Sequence, residues 1–227
     1  MTTRLADGVW QFACRGVNVY LLEDGDDLVL VDAGTPWDAG RIRAGVLDTG
    51  HDLRDVDRVV VTHYDLDHVG ALGKLAPDLD AYLVAGEHTA SVLRGDRRPD
   101  APGTKGFLTK HLVSRLVTLP DLPVEAVPDG EQTGSFAAFA TPGHTPGHTC
   151  FVSPDLGVGL LGDLARGTED GTLERVPRFV DADREQAGES IASFAERTPA
   201  FEVACMGHGE PLRDQGDEQV RRLAARL

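Results

Sequence analysis

Thr62-His63-Tyr64-Asp65-Leu66-Asp67-His68 is the stretch on which the reading of the chain turns. Before it lies Val56-Asp57-Arg58-Val59-Val60-Val61, a short, β-branched and largely apolar run that reads as a buried strand. After it, Val69 to Ala76 has helical spacing that Pro77 ends. Four potential metal ligands therefore stand where a strand gives way to a helix. His63 and Asp65 are two apart, so in an extended loop their side chains point the same way. Asp67 and His68 are adjacent and must diverge, which suits a second cation beside the first. A lone histidine at a strand end is usually structural. Two His and two Asp between positions 63 and 68 are costly to bury together unless a cation compensates them, so the stretch reads as a metal site.

The surrounding chain is that of an ordinary globular protein: 227 residues, 41% hydrophobic and 26% charged. Its net charge of −15, spread along the sequence, argues against a sequence-independent grip on nucleic acid or an anionic membrane surface. The expected partner is a small-molecule substrate. The N-terminus has no apolar leader run and no stretch approaches a membrane span, so a cytoplasmic location is expected. Cys14, Cys150 and Cys205 form no CxxC pair and read as buried free thiols.

Outward from the motif, strands are expected at 9–12, 17–22, 28–32, 81–85, 135–140, 148–152, 157–161 and 201–206. Helices are expected at 37–47, 87–94, 107–117, 183–197 and 217–227, with a turn-rich surface loop at 96–106. The two halves have similar make-up and no linker between them, so residues 1–227 read as one domain with two sheets.

Three further ligand candidates share one local design. His144 lies in Thr141-Pro142-Gly143-His144-Thr145-Pro146-Gly147, between two strands. Asp163 ends an apolar strand behind Gly162, and His208 is flanked by Gly207 and Gly209 at another strand end. Taken alone, Asp163 could cap a helix and His208 could be a turn residue. Beside residues 63–68, those readings require several coincidences.

In this combination the chain resembles the metallo-β-lactamase fold superfamily: a THxHxDH loop, a TPGHTPGH stretch, an Asp in a GD step and a His in a GH step, in that order. Asp32-Ala33-Gly34 matches an early Asp-x-Gly of the family, and the likeness runs from about residue 9 to 210. The resemblance implies an α/β fold, a four-layer αββα sandwich of two mixed β-sheets flanked by helices, with two divalent metal ions at the sheet rim. Carried over by position, one ion would be held by His63, residue 65 and His144. The other would be held by Asp67, His68 and His208, with Asp163 bridging. Asp32 would orient a ligating histidine or the motif loop, and His148, which opens a strand, could play a similar role or simply pack.

The departure is at residue 65, where the family has His and this chain has Asp. Two divalent cations, a bridging hydroxide and the carboxylates of Asp67 and Asp163 would leave a net positive centre, and a third carboxylate brings the formal sum to zero. The metals should then be weaker Lewis acids. Preference also moves from zinc, the first expectation, toward manganese or iron. The flavodiiron proteins, relatives within the superfamily, carry an acidic residue at this position and hold iron. The implied activity is hydrolysis of a small ester, thioester or lactone by a metal-bridged hydroxide, with Asp67 both ligating and guiding protons. No GxSxG elbow competes with it. The alternatives are an iron-dependent oxidoreductase, persulfide dioxygenase-like or diiron, and a non-catalytic metal-binding module. Arg166, Arg175 and Arg178 follow Asp163 in an irregular stretch that reads first as a solvated loop, although an anionic substrate could be anchored there, and Tyr64 could reach the site or pack.

Overall fold

The computed structural model describes residues 1–99 and 117–227. Among them, seven strands pair in chain order: β1 (Thr2–Ala6), β2 (Val9–Ala13), β3 (Asn18–Asp24), β4 (Asp27–Val31), β5 (Val56–Val61), β6 (Tyr82–Gly86) and β7 (Val124–Val127). The first four run antiparallel, and β4 to β7 run parallel with helical crossovers. The crossovers carry α1 (Ala39–Asp48), α2 (Leu66–Val69), α3 (Leu72–Leu75) and α4 (Glu87–Leu93). The second sheet is built from β8 (Gln132–Thr133), β9 (Phe136–Ala140), β10 (Thr149–Ser153), β11 (Val158–Gly162) and β14 (Val203–Met206), in the order β14-β11-β10-β9-β8. It too is mixed, since β11 and β14 are parallel while its other pairs are antiparallel. A small ribbon of β12 (Arg166–Gly167) and β13 (Leu173–Glu174) precedes α5 (Arg184–Arg197), and α6 (Gly216–Ala224) follows β14.

The apolar runs are continuous because both faces of each sheet are covered. Along β3, Val19 and Leu21 join the core shared with Ile42, Val46, Leu72 and Leu75 of the first helices. Tyr20 and Leu22 alternate to the opposite face and meet Phe136, Phe151 and Leu160 of the second sheet. A third core sets Val152, Leu161 and Met206 against Ile191, Phe194, Val220 and Leu223 of α5 and α6. Three cores separate four layers, which is the expected αββα sandwich.

Some expectations need correction. The helix read from Val69 to Ala76 is two single turns, α2 and α3, broken at Gly70 and Ala71; it starts earlier because the Asp65 side chain caps Leu66 N. Pro77 then sits in a 3₁₀ turn, Ala76–Asp78. Strands β1, β7, β8, β12 and β13 were not expected from the sequence. The helix at 107–117 and most of the loop at 96–106 lie outside the described residues.

Candidate metal centre

All seven ligand candidates reach one rim, at the C-terminal ends of the central strands. His63 to His68 follow β5, His144 lies between β9 and β10, Asp163 follows β11, and His208 follows β14. The rim is laced by backbone bonds: Thr149 N donates to Thr62 O (2.9 Å), Gly207 N to Gly162 O (2.8 Å) and Ala33 N to His68 O (2.6 Å). Three donor sets result, His63 with Asp65 and His144, His63 with His68 and Asp163, and Asp67 with His68 and His208, the donor atoms of each within 4.8 Å of one another.

Asp163 is central. Its Oδ2 lies 3.3 Å from His144 Nε2 and 3.4 Å from His208 Nε2, and its Oδ1 lies 3.5 Å from His68 Nε2. His208 Nε2 is also 3.2 Å from Asp67 Oδ2. Among the described residues, His63 Nε2, His68 Nε2 and Asp163 Oδ1 are buried with no hydrogen-bond partner. Unsatisfied buried groups of this kind are costly, and here they converge on one point. The donor set of nitrogens and carboxylate oxygens fits divalent cations.

The outer nitrogens of the imidazoles are each faced by a protein group, as expected of ligating histidines. Asp32 Oδ2 lies 2.8 Å from His68 Nδ1 and accepts from Thr62 Oγ1 (2.8 Å), while Asp32 Oδ1 accepts from Thr62 N (2.9 Å). Asp32 does this in the left-handed region, at φ 58°, a strained conformation for a residue other than glycine. Thr62 Oγ1 is 3.1 Å from His63 Nδ1, and Gly16 O is 2.6 Å from His208 Nδ1. His144 Nδ1 faces Asp181 Oδ1 at 3.5 Å. His148 takes no place in a donor set among the described residues. Its Nδ1 meets Thr141 Oγ1 (2.7 Å) and its Nε2 accepts from Asp163 N (2.9 Å), so it holds the backbone that presents Asp163.

The electrostatics follow from crowding. Burial, with His68 next to it, holds His63 well below the ordinary imidazole range. Burial also disfavours charge on His68, but Asp163, Asp32 and Asp67 outweigh it and raise its pKa to about 10. Asp65 is raised by burial and then by Asp67. Burial opposes ionisation of Asp163 as well, yet His68 and a bond from His208 hold it well below the carboxylate range.

A cavity of about 450 Å³ opens on the centre, lined by Asp65, Asp67, His144, Asp163 and His208 on one side and Val176, Pro177 and Val180 on the other. Arg166 lines it too, 3.1 Å from Glu174. Arg175 instead turns to Arg184 O (2.5 Å), Arg178 is exposed, and Tyr64 packs beside the first core rather than in this cavity. Asp181 and the Gly16 carbonyl were not foreseen. Neither has a motif, because tertiary packing alone brings them to the imidazoles. Among the described residues no helix is long and apolar enough to cross a membrane.

The sequence model of the Metallo-beta-lactamase superfamily matches residues 13–208. The chain is 32% identical to the uncharacterized protein YobT of Bacillus subtilis, over 92% of this chain and 91% of that one. It is 28% identical to the probable metallo-hydrolase YflN of the same organism, over 98% and 92%. Weaker likenesses include an Aspergillus fumigatus atrochrysone carboxyl ACP thioesterase, 24% identical over 76% of this chain and 47% of that protein. In fold it is similar to the crystal structure of a metallo-β-lactamase family protein from Thermus thermophilus, with TM-score 0.70 and 23% identity over 98% of this chain and 80% of that one. With the HxDxDH loop, the later His, Asp and His and the two-sheet sandwich in place, the chain belongs to the metallo-β-lactamase superfamily.

Proposed function

We propose that the protein is a two-metal hydrolase acting on a small ester, thioester or lactone. The observation that carries this is the convergence of seven donor side chains at one rim, five of them lining the cavity and the other two, His63 and His68, each with a buried Nε2 without another described partner. His63, Asp65 and His144 would hold one cation and Asp67, His68 and His208 the other, with Asp163 shared. Zinc is the first choice, and the carboxylates also admit manganese or iron. Cations bound there would supply Lewis acidity and lower the pKa of water at the site.

The chain's own residues supply orientation and proton handling. Burial raises Asp67, but His68 and the bond from His208 outweigh it and keep its carboxylate below the ordinary range, hence ionised at neutral pH. On the cavity surface it can take a proton from attacking water and return it to the departing oxygen or sulfur. Val176, Pro177 and Val180 would hold the apolar part of an acyl group and exclude water, and Arg166 would meet an anionic substituent. The fungal thioesterase relative supports the acyl class.

The test is elemental analysis of protein purified without added metal, followed by ester, thioester and lactone panels. About two zinc or manganese ions per chain with turnover is the expected result. No metal uptake after reconstitution overturns the reading. One feature favours a second: His63, Asp65 and His144 are two histidines and one carboxylate, a set that suits non-haem iron and oxygen chemistry. Predominant iron with thiol-dependent O₂ uptake would put an oxidoreductase first.

A further inference from the structure

Two imidazoles of the centre, one in each three-residue set, turn an outer nitrogen to a buried carboxylate. For His68 that carboxylate is Asp32, just after a strand and within the family's motif. For His144 it is Asp181, in the irregular stretch before α5. The Asp181 side chain has no exposed surface. Its Oδ2 accepts from Arg184 Nη1 (2.5 Å), while its Oδ1 and His144 Nδ1 have no hydrogen-bond partner among the described residues and face each other at 3.5 Å. That spacing is longer than the roughly 2.7–3.2 Å of an ordinary N–H···O hydrogen bond. The backbone on either side is fixed to the His144 loop, with Ala182 N donating to His144 O (3.0 Å) and Asp183 N to Gly143 O (2.8 Å). A buried carboxylate with one oxygen unsatisfied costs free energy, and an apolar side chain would fill the space without that cost. What the carboxylate adds is a proton acceptor on the far side of the ring.

We infer that Asp181 is the positioning residue of His144: it keeps the proton on Nδ1, leaves Nε2 as the donor toward the cavity, and so sets the metal affinity of the His63–Asp65–His144 set. The inference rests on the metal reading above. Arg184 has a second task beside its bond to the outer oxygen of Asp181. Its Nη1 also donates to Val176 O (2.8 Å), which pins the cavity wall rather than the ring.

The two tasks can be separated by titrating metal-free protein with Co²⁺ and following its d–d absorption. Wild type should take up two ions in resolvable phases, and His144→Ala should remove the phase that reports the His63–Asp65–His144 set. Asp181→Asn should weaken that same phase by about 10–100-fold and leave the other unchanged. Arg184→Gln, which removes the donor to Asp181 Oδ2 and to Val176 O but keeps the carboxylate facing His144, should lower the melting temperature and weaken the His144 phase less than Asp181→Asn does. If Asp181→Asn does not fold, Asp181→Glu, which displaces the carboxylate by one methylene, should show the same selective weakening. An Asp181 variant that titrates like wild type overturns the inference, as does equal loss of both phases in the Asp181 and Arg184 variants, which would mark a structural role. Wild-type protein that takes up no Co²⁺, or leaves the His144 set empty, would overturn the two-metal reading itself.

Discussion

Asp65 has two tasks that histidine could not combine. Its Oδ1 accepts from Leu66 N (2.7 Å) and caps α2, while the same side chain stands within ligand distance of His63 and His144. Asp65→His should therefore separate them. The retained metal should shift toward zinc, read by elemental analysis of protein loaded from an equimolar zinc, manganese and iron mixture, and the lost cap should cost about 1 kcal/mol. An unchanged metal profile would show that residue 65 does not select the ion. His148 permits a pH prediction. Burial, reinforced by His144, depresses it from 6.5 to about 3, and in the unprotonated form its Nε2 accepts from Asp163 N. With the folded value below the unfolded one, its contribution is complete above pH 6.5 and is lost as pH falls toward 3. His148→Gln should flatten this acid limb by up to about 1.4 kcal/mol per pH unit in urea titrations. An equally steep limb in the variant would assign the acid lability to the carboxylates.

At the scale of elements, the centre depends on how closely strand ends approach. A Cβ on Gly207, just after β14, would overlap Asp163 Oδ1 and the His68 ring. Gly207→Ala should thus strip metal from the purified protein while leaving its far-UV circular dichroism intact; full metal content in the variant would mean that the rim can yield. This approach was partly legible in the sequence, since His208 between two glycines and Asp163 behind Gly162 each sit at the end of an apolar run. The strands without a sequence pattern of their own are short or at an edge. β1 opens Thr2-Thr3-Arg4 and is an edge strand, and β7 is only Val124-Glu125-Ala126-Val127 after a proline-rich stretch. Both owe their conformation to pairing with a neighbour rather than to their own pattern. The start of α2 is hidden in the sequence for a related reason: its cap is Asp65, a residue whose place in the ligand motif gives it a second role.

Across the whole molecule, the sandwich sorts charge between its two ends. At the metal rim the chain of net charge −15 gathers carboxylates, and Arg166 is the one arginine lining the cavity among the described residues. Arg166→Ala should raise KM for acyl substrates carrying a carboxylate by about 10-fold or more and leave neutral substrates unchanged, because a charge-assisted contact is worth about 1.5–3 kcal/mol. A uniform KM change would assign Arg166 to the Glu174 ribbon instead. At the opposite end of the same strands, Arg58 is 2% exposed and pairs with Asp24, itself 7% exposed, and with Asp27 at 3.2 Å. Asp24 Oδ2 also accepts from Ser135 N (3.1 Å), between β8 and β9, so one ion pair joins the two sheets where no metal does. An arginine in a run of valines gave no sign of this in the sequence, since its partners come from a hairpin and from the other sheet. Arg58→Leu leaves Asp24 buried and unpaired, and should cost about 3–5 kcal/mol in urea unfolding. Arg58→Leu with Asp24→Leu removes both charges and should recover much of that loss, while metal content stays at the wild-type level in both variants, because the pair and the donor set lie at opposite ends of β5. A loss under about 1 kcal/mol in the single variant would place the pair among solvent-screened surface contacts and leave the sheets joined by their shared apolar core alone.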